Sequence, residues 1–159
     1  MIRIFIGYDP REAVAYNVLC HSIQTRASRP VSITPLMLSQ LGKLMWRERH
    51  NLQSTDFSFS RFLTPYLCFY EGWALFMDCD MLVLDDITNL WNLRDDRYAI
   101  QCVKHDHNPP EDTKFLNQPH TNYLSFLISE SLVQLYTKCL TFLNSKSFIQ
   151  QFFLLQFLT

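Results

Sequence analysis

Two carboxylates interrupt an otherwise apolar run, and this arrangement constrains the fold more than any other feature. The run covers residues 73–84, in which Asp78 and Asp80 are separated by one cysteine. An unpaired carboxylate is costly to bury, so two of them in a core segment require a cationic partner. In an extended chain, residues two positions apart face the same side, which predicts that Asp78 and Asp80 face one way and Cys79 the other. Two such carboxylates suit a hard divalent cation shared with phosphate oxygens, which indicates an enzyme for a nucleotide-activated substrate.

Strand-like and helix-like segments alternate along the chain. Apolar, β-branched stretches that end at turn residues predict strands at residues 2–6, 31–36, 73–77 and 98–104. Helical spacing of apolar residues predicts a helix after Glu12 and another over residues 59–70, kinked or started late by Pro65. This alternation predicts an α/β fold with a Rossmann-like sheet. Ligands bind beyond the carboxyl ends of such strands, so the segments that follow three of the strands should gather at one edge: residues 7–9, 78–80 and 104–107.

Composition narrows the class of protein. The chain has 159 residues, of which 48% are hydrophobic, so it can bury a real core and is not a disordered polar chain. The formal net charge is −1 without a basic block, which argues against a nucleic acid partner. The five cysteines are scattered and odd in number, which favours reduced thiols in a cytoplasmic protein. The sequence has no signal-peptide pattern and no apolar run long enough for a transmembrane segment.

The last part of the chain has a different composition. Residues 124–159 contain no glycine, proline, aspartate or arginine. Apolar side chains recur there at helical spacing, at Ile128, Leu132, Leu135, Cys139 and Phe142. We therefore expect two units: an α/β domain over residues 1–123 and an apolar helical tail over residues 124–159.

Three stretches together resemble a known family. They are IFIGYD at residues 4–9, FSFSRFLTPYL at residues 57–67 and ALFMDCDMLVLDDI at residues 74–87. In this order they are similar to bacterial A-type-fold glycosyltransferases related to family 8, over residues 1–123. The resemblance implies a nucleotide-diphospho-sugar transferase sheet, a nucleoside-diphosphate sugar donor (a UDP-sugar), Mn²⁺ or Mg²⁺ as the cofactor, and an unknown acceptor.

The resemblance also implies roles for single residues. Asp80 would bind the metal, and Asp78 would hold the donor ribose or share the metal. Tyr8 would stack on the nucleotide base and Asp9 would hydrogen-bond the nucleotide. Arg61 would lie near the diphosphate or brace the two aspartates, since a guanidinium suits either anion.

Further polar residues follow the predicted strands. His105, Asp106 and His107 follow the fourth strand and are candidates for contact with the acceptor or the donor sugar. Asp85 and Asp86 precede an apolar segment and are predicted to be an N-cap and first-turn acids rather than metal ligands. A zinc site is disfavoured because no Cys-x-x-Cys pair is present.

The tail departs from the pattern of the family. Members of this kind continue beyond the fourth strand with an acceptor site and a late histidine, whereas the last histidine here is His120. We therefore expect a truncated copy, or one whose reading frame changes near Tyr123. This leaves two alternatives to a glycosyltransferase: an inactive remnant that binds at most nucleotide and metal, and a metal-dependent nucleotidyltransferase. The chain has three glycines and no glycine-rich phosphate loop, which counts against the latter.

Overall fold

The computed structural model describes residues 1–46, 48 and 55–102, together with the backbone of residues 113–114, 118–119 and 152–157. The larger part contains, in chain order, β1 (Ile2–Tyr8), α1 (Ala13–Arg26), β2 (Val31–Met37), α2 (Thr64–Leu67), β3 (Gly72–Met77), α3 (Ile87–Trp91) and β4 (Ile100–Cys102). Short 3-10 helices cover Pro10–Glu12, Leu38–Gln40, Asp56–Ser58 and Ser60–Leu63. The backbone segments form β5 (Thr113–Lys114), β6 (Gln118–Pro119) and β7 (Phe152–Phe157).

The centre of the fold is a parallel sheet in which β1 lies between β2 and β3. Tyr8 at the end of β1 is opposite Met37, and Ile6 is opposite Met77 at the end of β3. The α/β prediction is therefore confirmed, and the carboxyl ends of all three strands lie at one edge. From β1 the chain runs outward to β2 and then returns past β1 to β3, so the strand order reverses between β1 and β3. A reversal of this kind opens a crevice at the carboxyl edge of the sheet.

The core lies on both faces of β1 and β3. All side chains of β3 after Gly72 are buried, which explains the continuous apolar run in its sequence. Helix α1 packs on the sheet through Leu19 and Ile23, which are fully buried. Ser22, also on this face, accepts a hydrogen bond at its Oγ from the backbone N–H of Val83 at 3.1 Å. The segment that follows β3 is thus fastened to α1.

The predicted helix over residues 59–70 is wrong in its length. A 3-10 helix, Ser60–Leu63, leads into the short α2, and Pro65 stands in the first turn of α2, where its missing N–H is tolerated. After α2 the backbone of Phe69 and Tyr70 has positive φ, which ends the helix. In this segment Phe69 is exposed, whereas Ser60, Arg61 and Thr64 are buried.

The structure describes only residues 152–157 of the predicted helical tail, so the prediction of a helical tail over residues 124–159 stays a prediction. Residues 152–157 form the strand β7, which pairs antiparallel with β3 and with β4. Its sequence, FFLLQF, is rich in aromatic residues that favour strands, and pairing satisfies the backbone groups on the free edge of β3. The other residues of the tail lie outside the described part of the chain. Within the described part, no helix has the length and apolar character needed to cross a membrane.

Candidate active site

Asp78 and Asp80 lie directly after β3, at the crevice between β1 and β3. The strand ends at Met77, and Cys79 and Asp80 form a turn. The turn ends the extended alternation that the sequence predicts, so Asp78 is 6% exposed whereas Asp80 is exposed to solvent. At this edge of the sheet the carboxylate of Asp78 is thus buried in the protein, and that of Asp80 lies at its surface.

Arg61 is the cationic partner that the buried carboxylate requires. Its Nη2 lies 3.2 Å from Oδ1 of Asp78, and both side chains are almost fully buried. The guanidinium also lies over the rings of Phe57 and Phe76, at 5.4 and 5.1 Å from their centroids. Burial lowers the pKa of Arg61, and the charges of Asp78 and Asp80 oppose that change. The structure therefore brings Arg61 together with both aspartates.

Asp78 is an unusually basic carboxyl group. Burial raises its pKa to about 6, the guanidinium of Arg61 acts in the opposite direction, and the charges of Asp80 and Glu12 raise the pKa further. In the described part of the protein, Oδ1 accepts no hydrogen bond of good geometry, so its contact with Arg61 is an ion pair only.

The loop after β1 is held by Asp9. Its buried carboxylate accepts hydrogen bonds from the backbone N–H of Arg11 at 3.0 Å and from Nε of Arg11 at 2.9 Å. It also accepts from the backbone N–H of Asp56 at 3.1 Å, which joins the loop to the 3-10 helix Asp56–Ser58. These bonds hold the pKa of Asp9 well below its usual range. Asp9 thus acts as a cap and brace, and the contact with a nucleotide that the sequence suggests stays a prediction.

Gly7 allows the aromatic ring of Phe57 to cross the end of β1. A Cβ at position 7 would lie 2.4 Å from two ring carbons of Phe57, which no real contact permits. Phe57 in turn supports Arg61. The glycine thus belongs to the packing that positions the Arg61–Asp78 pair.

Tyr8, the last residue of β1, is half-buried at the crevice. Its ring meets that of Tyr16 edge to face, with centroids 5.2 Å apart. This contact restrains the Tyr8 ring. The stacking of Tyr8 on a nucleotide base stays a prediction.

Glu12 joins the site, although its sequence position gives no sign of this. The Sγ–H of Cys79 donates a hydrogen bond to Oε2 of Glu12 at 2.9 Å. Glu12 ends the 3-10 helix Pro10–Glu12, and the sequence marks it only as a first-turn acid. Proximity in space of residues that are 67 positions apart leaves no local pattern. The one available signal is that Glu12 and Cys79 each follow a strand whose end lies at the same edge.

The carboxylates at this edge could contribute to a metal site only together with ligands from outside the protein. Among the residues that the structure describes, no group of three or more histidine, cysteine, aspartate and glutamate side chains could hold a metal ion. Asp80 offers an exposed carboxylate, and Asp78 stands behind it, paired with Arg61. Mg²⁺ is commonly held by one or two carboxylates, with phosphate oxygens and water as the other ligands. The donor set therefore fits a cation that arrives with a phosphorylated substrate, and it does not fit a cage made of protein alone.

The remaining candidates lie apart from this site or outside the described residues. Asp86 caps α3 by accepting from the backbone N–H of Thr88 at 2.9 Å, and Asp85 accepts from the side chain of Asn89 at 2.9 Å. The cap predicted before this helix is thus confirmed. His105, Asp106 and His107 lie outside the described residues.

Comparison with known proteins corrects the family resemblance. No family model matches the chain. The chain is 58% identical over 123 residues to Protein CDI of Arabidopsis thaliana. The assignment to bacterial A-type-fold glycosyltransferases related to family 8 is therefore wrong. It relied on short stretches that also have a packing explanation: a buried strand with a capping aspartate, and a buried arginine that pairs with Asp78. The aligned part comprises 76% of this chain and 48% of Protein CDI, so the chain spans about half the length of that relative.

Proposed function

We propose that the domain binds a nucleoside-diphosphate sugar, such as a UDP-sugar, together with Mn²⁺ or Mg²⁺, and transfers the sugar to an acceptor. The observation that carries this proposal is the buried Arg61–Asp78 pair next to the turn that carries the exposed Asp80. The proposal relies on this geometry and on the chemistry of the side chains. A nucleotide-diphospho-sugar transferase arrangement of the α/β sheet is part of the same proposal.

The position of the pair in the sheet supports a nucleotide site. Nucleotides bind open α/β sheets in the crevice where the strand order reverses, beyond the carboxyl ends of the strands. Here that crevice lies between β1 and β3, and it is bordered by Tyr8 and by the turn that carries Asp80. Tyr8 offers an aromatic ring to the base from one side, and Asp80 offers a carboxylate to a diphosphate-bound cation from the other.

The charges at the edge support the binding of a cation with the diphosphate. Glu12, Asp78 and Asp80 supply three carboxyl groups, and Asp78 is paired with Arg61. A diphosphate alone would be repelled by such an edge, whereas a divalent cation between Asp80 and the diphosphate would be attracted to both. When bound, the cation would stabilise the charge that develops on the departing nucleoside diphosphate.

A panel of donors tests the proposed reaction. Purified protein is incubated with Mn²⁺ and with UDP-sugars that differ in the sugar, and released UDP is measured with and without simple glycoside acceptors. We expect UDP release for at least one donor, and we expect Asp80→Asn to abolish it. Binding of UDP with Mn²⁺ without release from any donor would favour the inactive remnant. Release of pyrophosphate from a nucleoside triphosphate would favour a nucleotidyltransferase.

A further inference from the structure

The contact between Glu12 and Cys79 joins the two segments that border the crevice. Glu12 belongs to the loop after β1, which also carries Tyr8 and Asp9, and Cys79 lies between the two aspartates after β3. The Sγ of Cys79 is fully buried and 2.9 Å from Oε2 of Glu12. An S–H group is a weak donor, and a carboxylate oxygen is a strong acceptor that strengthens such a bond.

A backbone hydrogen bond also connects Glu12 to the start of the loop. The backbone N–H of Glu12 donates to the carbonyl oxygen of Asp9 at 2.9 Å, so Glu12 cannot move independently of the loop. Burial raises the pKa of the Cys79 thiol, and Glu12 acts in the same direction, whereas the backbone of Asp9 opposes the change. A displacement of the loop would therefore also displace the turn that contains Asp80.

We propose that Glu12 is a positioning residue, which through Cys79 couples the nucleotide-binding loop after β1 to the metal-binding turn after β3. This inference rests on the proposed function. Asp80 on this turn would hold the cation, and the Cys79–Glu12 contact keeps the turn in a fixed position relative to the loop that carries Tyr8. Each ligand should therefore raise the affinity of the other by the same factor.

Calorimetry on three variants separates positioning from charge. The dissociation constant of UDP is measured with and without Mn²⁺ for the wild type, Glu12→Gln and Glu12→Ala. Glutamine retains an oxygen that accepts from the thiol but has no charge, and alanine retains neither. We expect Mn²⁺ to tighten UDP binding roughly tenfold in the wild type and in Glu12→Gln, and by a clearly smaller factor in Glu12→Ala, in which only the direct contact of the cation with the diphosphate remains. Glu71→Ala removes an exposed carboxylate at the opposite end of β3 and should behave as the wild type.

Hydrogen exchange, measured without ligand, tests the link between loop and turn separately from the proposed function. We expect the amides of residues 8–12 and 78–82 to exchange faster together in Glu12→Ala and in Cys79→Ala, but not in Cys68→Ala, which removes another buried thiol. Joint acceleration in a protein that binds no UDP would overturn the proposed function and retain the link. Unchanged exchange, or wild-type coupling in Glu12→Ala, would overturn the positioning role. Loss of coupling in Glu12→Gln to the level of Glu12→Ala would also overturn it, because charge alone would then explain the effect.

Discussion

Nη2 of Arg61 lies 3.2 Å from Oδ1 of Asp78, and at least nine-tenths of each side chain is buried. Removal of one partner from such a pair leaves a buried charge uncompensated, which destabilises proteins by several kcal/mol. The pair joins the 3-10 helix Ser60–Leu63 to the end of β3, so it fixes the position of the site as well as its charge.

The first prediction concerns the energetics of this pair. Arg61→Met keeps an apolar stem against Phe57 and Phe76 but removes the charge, and we expect it to lower the free energy of unfolding by about 3 kcal/mol. Asp78→Asn removes the attraction to the guanidinium but also a carboxylate whose burial is unfavourable, so we expect it to have the smaller effect of the two variants. The double variant leaves neither charge buried alone. Its loss of unfolding free energy should therefore be about 2 kcal/mol smaller than the sum of the losses in the two single variants. Urea unfolding measures the free energy of unfolding of the wild type, the two single variants and the double variant. Additive effects would mean that the contact contributes no net coupling.

The second prediction is a pH dependence due to Asp78. Its pKa of about 6 in the folded protein exceeds the ordinary value of 3.8, so the folded state binds the proton more tightly. The resulting stabilisation is fully present below pH 4 and is lost as the pH rises through 6. Relative to Asp78→Asn, the wild type should lose about 3 kcal/mol of unfolding free energy between pH 4 and pH 7. The measurement is denaturant unfolding in buffer with a chelator. Parallel pH profiles for the two proteins would contradict the raised pKa.

The third prediction concerns Gly7. Gly7→Ala places a Cβ against the ring of Phe57, so either the ring or β1 must move, and we expect a loss of about 1–3 kcal/mol. Gly42→Ala is the matched control, since nothing lies within 4 Å of a Cβ at that position. Thermal unfolding compares the two. Equal melting temperatures for both variants would show that the Gly7–Phe57 packing is not as close as described.

The fourth prediction concerns the brace at Asp9. Asp9→Ala removes the acceptor for the N–H groups of Arg11 and Asp56, and the cap of the 3-10 helix Pro10–Glu12 with it. We expect a destabilisation of about 2 kcal/mol, because two backbone N–H groups would lose their hydrogen-bond partner. Proteolysis should also become faster in the segment around residue 56. If unfolding and proteolysis are both unchanged, the carboxylate is available for a ligand and does not brace the loop.

The sequence reveals those parts of the fold that depend on local pattern. The apolar runs of β1 and β3 predict buried strands, and the aspartates that follow β3 predict a polar edge. Pro65 predicts a kink or a late start in the helix over residues 59–70, but the positive φ of Phe69, which ends the helix early, has no signature in the sequence. A periodic pattern does not record such breaks in the backbone.

The site itself depends on contacts between distant segments. The sequence suggests Arg61 as a partner of the aspartates, yet the contact of Glu12 with Cys79 has no local signature. Trp46 is 85% exposed, which shows that a large aromatic residue alone does not indicate burial. The expectation of a truncated or frame-shifted copy stays a prediction.

The central claim is that Asp80 holds a divalent cation that binds with a nucleoside diphosphate. Calorimetric titration of UDP into the protein with Mn²⁺, and separately with a chelator, tests it on the wild type, Asp80→Asn and the control Asp85→Asn. We predict metal-dependent binding to the wild type and to Asp85→Asn, weakened roughly tenfold or more in Asp80→Asn. Absence of UDP binding to the folded wild type, or binding that is equally tight in Asp80→Asn, would contradict the claim.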